Sequence, residues 1–183
     1  NLTEKIDFEE KIGKKAQNLL ELAVQGFNVP KFSVVTNKYF REVILNEIKE
    51  YSRKEGNEDE ISDWNSIFDK NTERKIENII KVIKEHKIKE EFLAEIENIT
   101  ENNSYYAVRS SSIEEDSSNF SFAGQFETYL YVKKENIIEK VKEVWISSFS
   151  NHVMKYRKEG KINNEINVPA VIIQEMVNSE KAG

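Results

Sequence analysis

The sequence predicts an α+β fold in which helices cover a mixed β-sheet, and three observations support this. Of the 183 residues, 38% are hydrophobic and 33% are charged, a balance that supports a buried core and argues against disorder. Short apolar runs are typical of strands, at Phe32–Val35, Tyr105–Val108, Glu127–Val132 and Val168–Val177. Apolar residues also recur at the spacing of amphipathic helices, in residues 14–25, about 37–51, most of 61–98 and about 135–157.

The first predicted helix spans residues 14–25, with Gly13 just before it and Gly26 just after it, where a C-cap is expected. Lys14 and Lys15 fall in its first turn, where cations are unfavourable against the helix dipole. Two interpretations remain open: a solvated helix start, or a helix start at which an anion binds and offsets this cost.

Residues from about 37 to 100 are predicted to form a helical insertion after the strand Phe32–Val35. Thr36 stands where it can cap the first of these helices, and their many Lys and Glu residues indicate a solvated face. His86 and His152 are the two histidines of the chain. We expect both to be exposed and neither to bind a metal.

Charge and cysteine content exclude several classes of function. The net charge of −6 argues against a non-specific nucleic-acid binder, which would be basic. The chain has no cysteine, which excludes disulfides, thiolate zinc sites and cysteine nucleophiles and fits a reducing compartment. No apolar run is long enough to span a membrane, and no signal peptide is visible. We therefore expect a cytoplasmic protein without nucleic-acid or membrane partners.

The stretch from Tyr105 to Val132 carries the most distinctive chemistry. A short strand runs into Arg109 and the serines Ser110–Ser112, and a loop with Gly124 leads to the next strand. This order places a permanent cation among hydroxyls and backbone N–H groups, which is a suitable environment for phosphate oxygens.

The apolar run Val168–Val177 predicts a strand that is buried on both faces. Gln174 and Glu175 interrupt it near its end. Either the strand emerges into solvent there, or the two side chains form a polar rim beside an apolar pocket. The residues alone leave both interpretations open.

Three stretches together resemble the phosphoenolpyruvate synthase and pyruvate phosphate dikinase family. The first is Gly13–Leu19 with Gly26 and Val29-Pro30, and the third is Val171–Val177. The second and most specific comprises Ala107–Ser111, Glu115-Asp116, Ser121–Gln125 and Glu127–Leu130. Lys14 departs from the pattern, because the family usually has glycine there.

The resemblance implies the N-terminal lobe of an ATP-grasp nucleotide-binding domain. Such enzymes use ATP and Mg²⁺ to phosphorylate a histidine on a separate swivelling domain, which passes the phosphoryl group to pyruvate. Rifamycin phosphotransferases, which share this domain, are an alternative, and a stand-alone nucleotide-binding module without catalysis is a third. The chain begins at Asn1 and stops at Gly183 without a terminating element. We therefore expect a piece of a longer protein that holds the second lobe, the histidine domain and the acceptor domain.

The resemblance also implies roles for individual residues. Lys15 and Arg109 would contact phosphates, and Thr128 would lie beside the phosphates or the ribose. Gly124 and Gln125 belong to a loop that would cover the phosphates. The adenine-binding edge would comprise Gln174, Glu175, Met176 and Val177, with the backbone of Glu175 and Val177 reading the base.

No catalytic residue and no metal ligand is assigned within the chain. Glu114, Glu115 and Asp116 are better interpreted as acidic loop residues, and the Mg²⁺ ligands are expected beyond Gly183. The resemblance therefore predicts that this chain alone is catalytically inactive.

Overall fold

The computed structural model describes residues 2–54, 61–68, 71–101, 104–112, 127–160 and 165–177. Within these ranges the α+β prediction is confirmed. The α-helices are α1 Leu2–Val24, α2 Asn37–Tyr39, α3 Leu45–Lys54, α4 Trp64–Phe68, α5 Thr72–Glu85, α6 Glu90–Ile99, α7 Ile137–Ser147 and α8 Asn151–Gly160. A π-helix at Phe40–Ile44 joins α2 to α3, and a 3₁₀-helix at Lys134–Asn136 precedes α7. The strands are β1 Phe32–Val35, β2 Tyr105–Ser111, β3 Thr128–Lys133 and β4 Ala170–Glu175. None of the described helices is both long enough and apolar enough to cross a membrane.

The four described strands form one sheet in the order β1-β4-β2-β3. Every pairing in it is antiparallel, so the predicted mixed sheet is wrong for this part of the chain. The physical reason is the position of β4. Strands β1 and β2 run in the same direction, but β4 runs opposite to both and lies between them, which leaves no parallel neighbours.

One face of the sheet forms the main hydrophobic core. Val108 of β2 pairs with Ile173 of β4, and both belong to this core together with Val132 of β3. Helix α7 lies across the same face through Val141, Val144 and Trp145. The predicted helical insertion is confirmed by α2 to α6, and its apolar side chains join this core.

Helix α1 covers part of the opposite face, which we call the second face. Ile12 and Ala16 pack there against Ile172 of β4, and Phe32 and Val34 of β1 border the contact. Helix α1 begins at Leu2, not at residue 14 as predicted, and ends at Val24, one residue before the predicted end. Gly26 lies where the C-cap glycine was expected and has a φ of 84°. The Gly26 N–H donates to Ala23 O and the next N–H donates to Leu22 O, both at 3.1 Å, which is the pattern of a Schellman cap.

The single helix predicted for residues 135–157 is wrong, because α7 ends at Ser147 and α8 begins at Asn151. Serine hydroxyls compete with the helical hydrogen bonds at this break. The Ser147 hydroxyl donates to Val144 O at 2.7 Å, and Ser150 Oγ accepts the Val153 N–H at 3.4 Å. Ser150 therefore caps a new helix instead of continuing the old one.

Two local predictions in the helical insertion also need correction. Thr36 occupies the N-cap position of α2, but its side chain makes no capping hydrogen bond. His86 is buried, with 6% of its surface exposed, because its ring lies between Glu47 Oε2 at 2.8 Å and Tyr39 OH at 3.0 Å. His152 is exposed as predicted.

Candidate functional site

Helix α1 changes direction at Gly13, which has a φ of 72° and a ψ of 167°. Its second half begins there and runs over the second face of the sheet. A Cβ atom at position 13 would lie 2.3 Å from the backbone oxygen of Ser111 and 2.7 Å from its Oγ. Only glycine allows this φ without strain and also fits this contact. The close approach brings the start of the second half of α1 onto the end of β2.

The same contact is held by a hydrogen bond. The backbone N–H of Ala16 donates to Ser111 Oγ at 3.0 Å, which satisfies one of the N–H groups that a helix start leaves without a helical partner. Lys15, the preceding residue, is partly exposed, and Lys14 is exposed and contacts Gln17 Oε1 at 3.4 Å. The backbone that carries the two lysines thus lies beside the end of β2.

Arg109 lies inside β2, two residues before Ser111, and not in a loop after the strand. It pairs with Ile172 on one side and with Thr128 on the other. Because side chains alternate along a strand and Ile172 packs under α1, Arg109 and Thr128 lie on the second face. Arg109 is half-buried, and no ion pair within the described part of the chain involves it.

Gln174 also lies on the second face. It lies two residues after Ile172 along β4, and it pairs with Ala107 of β2 and with Phe32 of β1. Glu175 points to the opposite face by the same alternation, and its carboxylate accepts a hydrogen bond from Ser104 Oγ at 3.0 Å.

The backbone at the end of β4 is already partly engaged. The Glu175 N–H donates to Lys31 O, and the Met176 N–H donates to Tyr105 O, both at 2.8 Å. Since the Glu175 N–H is bound to Lys31, it reaches a purine only if that bond opens. Val177 follows and is 69% exposed.

Met176 reaches across β2. Its backbone is bonded to Tyr105 of β2, whereas its sulfur accepts the N–H of Tyr131 of β3 at 3.1 Å. The ring of Tyr131 lies edge to face against that of Tyr105, with centroids 6.1 Å apart. These three side chains form an apolar and aromatic end of the second face.

The second face therefore has two chemically different ends. Arg109, Thr128 and the start of the second half of α1, which carries Lys15, lie at one end. Met176, Tyr105 and Tyr131 lie at the other. Arg109 lies four residues after Tyr105 along the extended strand β2, which corresponds to about 13 Å. We call the part of the second face between these two ends the open face. It can hold an anionic group at one end and a flat apolar group at the other.

Sequence reasoning did not single out three contributors to this surface: Ser111 as the cap of α1, and the tyrosines Tyr105 and Tyr131. The run of serines was a signal for the first, but no local pattern identifies the other two. The predicted residues Gly124 and Gln125 lie outside the described residues, as do Glu114, Glu115 and Asp116. Among the described residues, no group of three or more His, Cys, Asp or Glu side chains could hold a metal ion.

Comparison with known proteins links the chain to one family. The family model described as the pyruvate phosphate dikinase AMP/ATP-binding domain matches residues 9–183. The chain is 35% identical to the uncharacterized phosphotransferase YvkC of Bacillus subtilis (strain 168) over 175 residues, which are 93% of this chain and 18% of the relative.

Two shorter matches are more similar in sequence. The chain is 49% identical to the probable phosphoenolpyruvate synthase of Archaeoglobus fulgidus over 80 residues, 43% of this chain and 11% of the relative. It is 45% identical to the rifampicin phosphotransferase of Bacillus cereus over 80 residues, 43% of this chain and 9% of the relative. The chain spans less than a fifth of the length of these three relatives.

Proposed function

Because the chain belongs to the family of pyruvate phosphate dikinase AMP/ATP-binding domains, we propose that its open face binds ATP. The phosphates would lie at the end formed by Arg109, Thr128 and Lys15, and the base at the end formed by Gln174 to Val177. Gly124 and Gln125 would complete the site from the loop that precedes β3.

The observation that carries this proposal is the placement of the two cations. Lys15 and Arg109 stand 94 positions apart in the sequence, yet the Ala16–Ser111 hydrogen bond joins the helix of one to the strand of the other. Two cations carried by adjoining segments near a helix start suit a polyphosphate, because phosphoryl transfer depends on positioning and charge neutralisation. The length of the open face also suits a nucleotide.

The described residues are better suited to bind ATP than to bind Mg²⁺. The open face offers cations and hydroxyls for phosphate and an apolar end for a purine. Carboxylate groups, which Mg²⁺ prefers, do not cluster on the described residues of this face. We therefore propose that Mg²⁺ binds with ATP and takes its protein ligands from residues outside the described part of this chain.

In the native gene product, we propose that this lobe serves an ATP-dependent phosphotransferase. A phosphoryl group from ATP would pass to a histidine on a swivelling domain and then to pyruvate. The similarity to a rifampicin phosphotransferase supports that antibiotic as the alternative acceptor. A stand-alone nucleotide-binding module is the non-catalytic alternative. Assays of the native gene product with pyruvate and with rifampicin separate these three, because a module phosphorylates neither.

The proposal is tested by titrating ATP with Mg²⁺ into the native protein and its Arg109→Ala variant in a calorimeter. A charged hydrogen bond to phosphate contributes about 1.5–3 kcal/mol, so we expect affinity to fall roughly tenfold or more. Arg41→Ala is the matched control, because Arg41 forms an exposed ion pair with Glu165 at 3.2 Å, away from the open face. Equal affinities for all three proteins would remove Arg109 from the site.

A further inference from the structure

Tyr131 has a backbone conformation that is unusual for its residue type. Its φ is 56°, in the left-handed region that glycine and asparagine tolerate best and that bulky residues rarely adopt. Among the described residues, Asn71 is the other non-glycine residue with a positive φ. A tyrosine in this region is strained, and it keeps this conformation only when the surrounding structure holds it there.

A β-bulge holds Tyr131 in this conformation. Val108 pairs with Tyr129 and Tyr106 pairs with Val132, so Leu130 and Tyr131 together face Ala107. The extra residue bends β3 and redirects the side chain at the bulge. The Tyr131 N–H, which the ladder leaves unpaired, donates to the sulfur of Met176 at 3.1 Å.

Burial does not explain why a large aromatic ring occupies this position. Tyr131 is 70% exposed, and Leu130 and Tyr105 beside it are 56% and 46% exposed. The rings of Tyr131 and Tyr105 meet at an interplanar angle of 72°. A strained backbone therefore presents an aromatic ring to solvent at the apolar end of the open face.

We propose that Tyr131 forms an aromatic wall of the nucleotide site and stacks on the base, and that its strained conformation persists because it aims the ring. This inference rests on the proposed function, which places the base at the Met176 end. Stacking uses the flat face that every base presents. Tyr131 would therefore strengthen binding of nucleotides but not of the polyphosphate chain by itself.

Two variants of Tyr131 separate the ring from the backbone. Tyr131→Asn removes the ring and places a residue that tolerates a positive φ, whereas Tyr131→Phe keeps the ring. The probes are ATP and inorganic tripolyphosphate, each with Mg²⁺, titrated into the native protein. Loss of one base–aromatic stack weakens ATP binding by about fivefold or more. We expect that loss in Tyr131→Asn alone, with tripolyphosphate binding unchanged in both variants.

Thermal stability provides a second readout. Since asparagine relieves the strained φ, Tyr131→Asn is expected to melt at or above the temperature of the unmodified protein. A clearly lower melting temperature would overturn the claim of strain. Tyr131→Gly, which also accommodates this φ, provides the binding test if the asparagine variant does not fold.

The remaining outcomes separate this inference from the proposed function. If Arg109→Ala weakens the binding of both probes and Tyr131→Asn weakens the binding of neither, stacking by Tyr131 is refuted and the proposed ATP site stands. If Tyr131→Asn weakens the binding of both probes equally, the ring affects the shape of the whole site, and stacking on the base is again refuted. If the unmodified protein binds neither probe, the proposed function fails and this inference fails with it.

Discussion

The hydroxyl oxygen of Ser111 accepts a hydrogen bond from the backbone N–H of Ala16 at 3.0 Å, across 95 positions of the sequence. It is buried and works as a helix cap supplied by a distant strand. Because Lys15 precedes one partner and Arg109 lies two residues before the other, this bond holds together the backbone segments that carry both cations. The geometry of the proposed phosphate site thus depends on a neutral contact.

Replacing Ser111 with alanine is expected to loosen that contact. Loss of a helix cap costs about 1 kcal/mol, so the melting temperature should fall by a few degrees and ATP affinity should fall with it. Ser62→Ala is the control, because Ser62 is exposed and lies in the helical insertion. A Ser111→Ala variant with the stability and affinity of the unmodified protein would show that the bond positions nothing.

Gly13 and Gly26 form a matched pair for testing the approach of α1 to β2. Both have positive φ values, 72° and 84°, so alanine adds conformational strain at either position. The strain is about 1–2 kcal/mol in the left-handed region and about 1–3 kcal/mol at the φ and ψ of Gly13. An added Cβ meets Ser111 O at 2.3 Å at position 13 and meets nothing within 4 Å at position 26.

We therefore expect Gly13→Ala to lower the free energy of unfolding by about 3 kcal/mol or more, since overpacking adds about 1–3 kcal/mol to the strain. Gly26→Ala should lower the free energy of unfolding only by the conformational strain, because its Cβ meets no other atom within 4 Å. Chemical denaturation of both variants measures the difference. Equal losses would mean that α1 shifts away from Ser111 without cost.

The parts of the fold that local chemistry determines could be predicted from the sequence. The strand Phe32–Val35 was predicted with the bounds that the structure has, because an apolar run follows Pro30 there. The C-cap at Gly26 was predictable for a similar reason, since glycine accepts the left-handed conformation that ends many helices.

Other features depend on contacts between distant residues, and the sequence does not show them locally. The insertion of β4 between β1 and β2 makes the sheet antiparallel, although each strand was predicted from its own residues. The β-bulge at Tyr131 arises from the register between β2 and β3. Of the site residues, Arg109 and Thr128 are paired across these two strands, which their order in the sequence did not reveal.

The two histidines show the same limit and lead to a prediction. Both were predicted to be exposed, but His86 is buried between Glu47 and Tyr39. Its Nδ1 lies 2.8 Å from the Glu47 carboxylate, and its Nε2 lies 3.0 Å from the Tyr39 hydroxyl. His86→Ala leaves Tyr39 without this partner and is expected to cost about 1–3 kcal/mol.

His152→Ala is the control for this change, because His152 is exposed on α8 and exposed substitutions usually stay within about 0.5 kcal/mol. Urea denaturation of the two variants measures both free energies of unfolding. Similar losses at the two positions would mean that the contacts of His86 do not stabilise the insertion.

Tyr129 predicts how stability depends on alkaline pH. Burial raises the pKa of its hydroxyl above the ordinary value of 10.0, and a hydrogen bond to Glu143 raises that pKa further. Above about pH 10 the unfolded chain loses this proton while the folded protein keeps it, so the free energy of unfolding falls as the pH rises. Tyr129→Phe keeps the ring over which Lys140 Nζ lies 4.7 Å from the centroid but has no proton to lose. Melting temperatures measured from pH 9 to 11 should therefore fall less steeply for Tyr129→Phe, and parallel curves would show that Tyr129 titrates alike in both states.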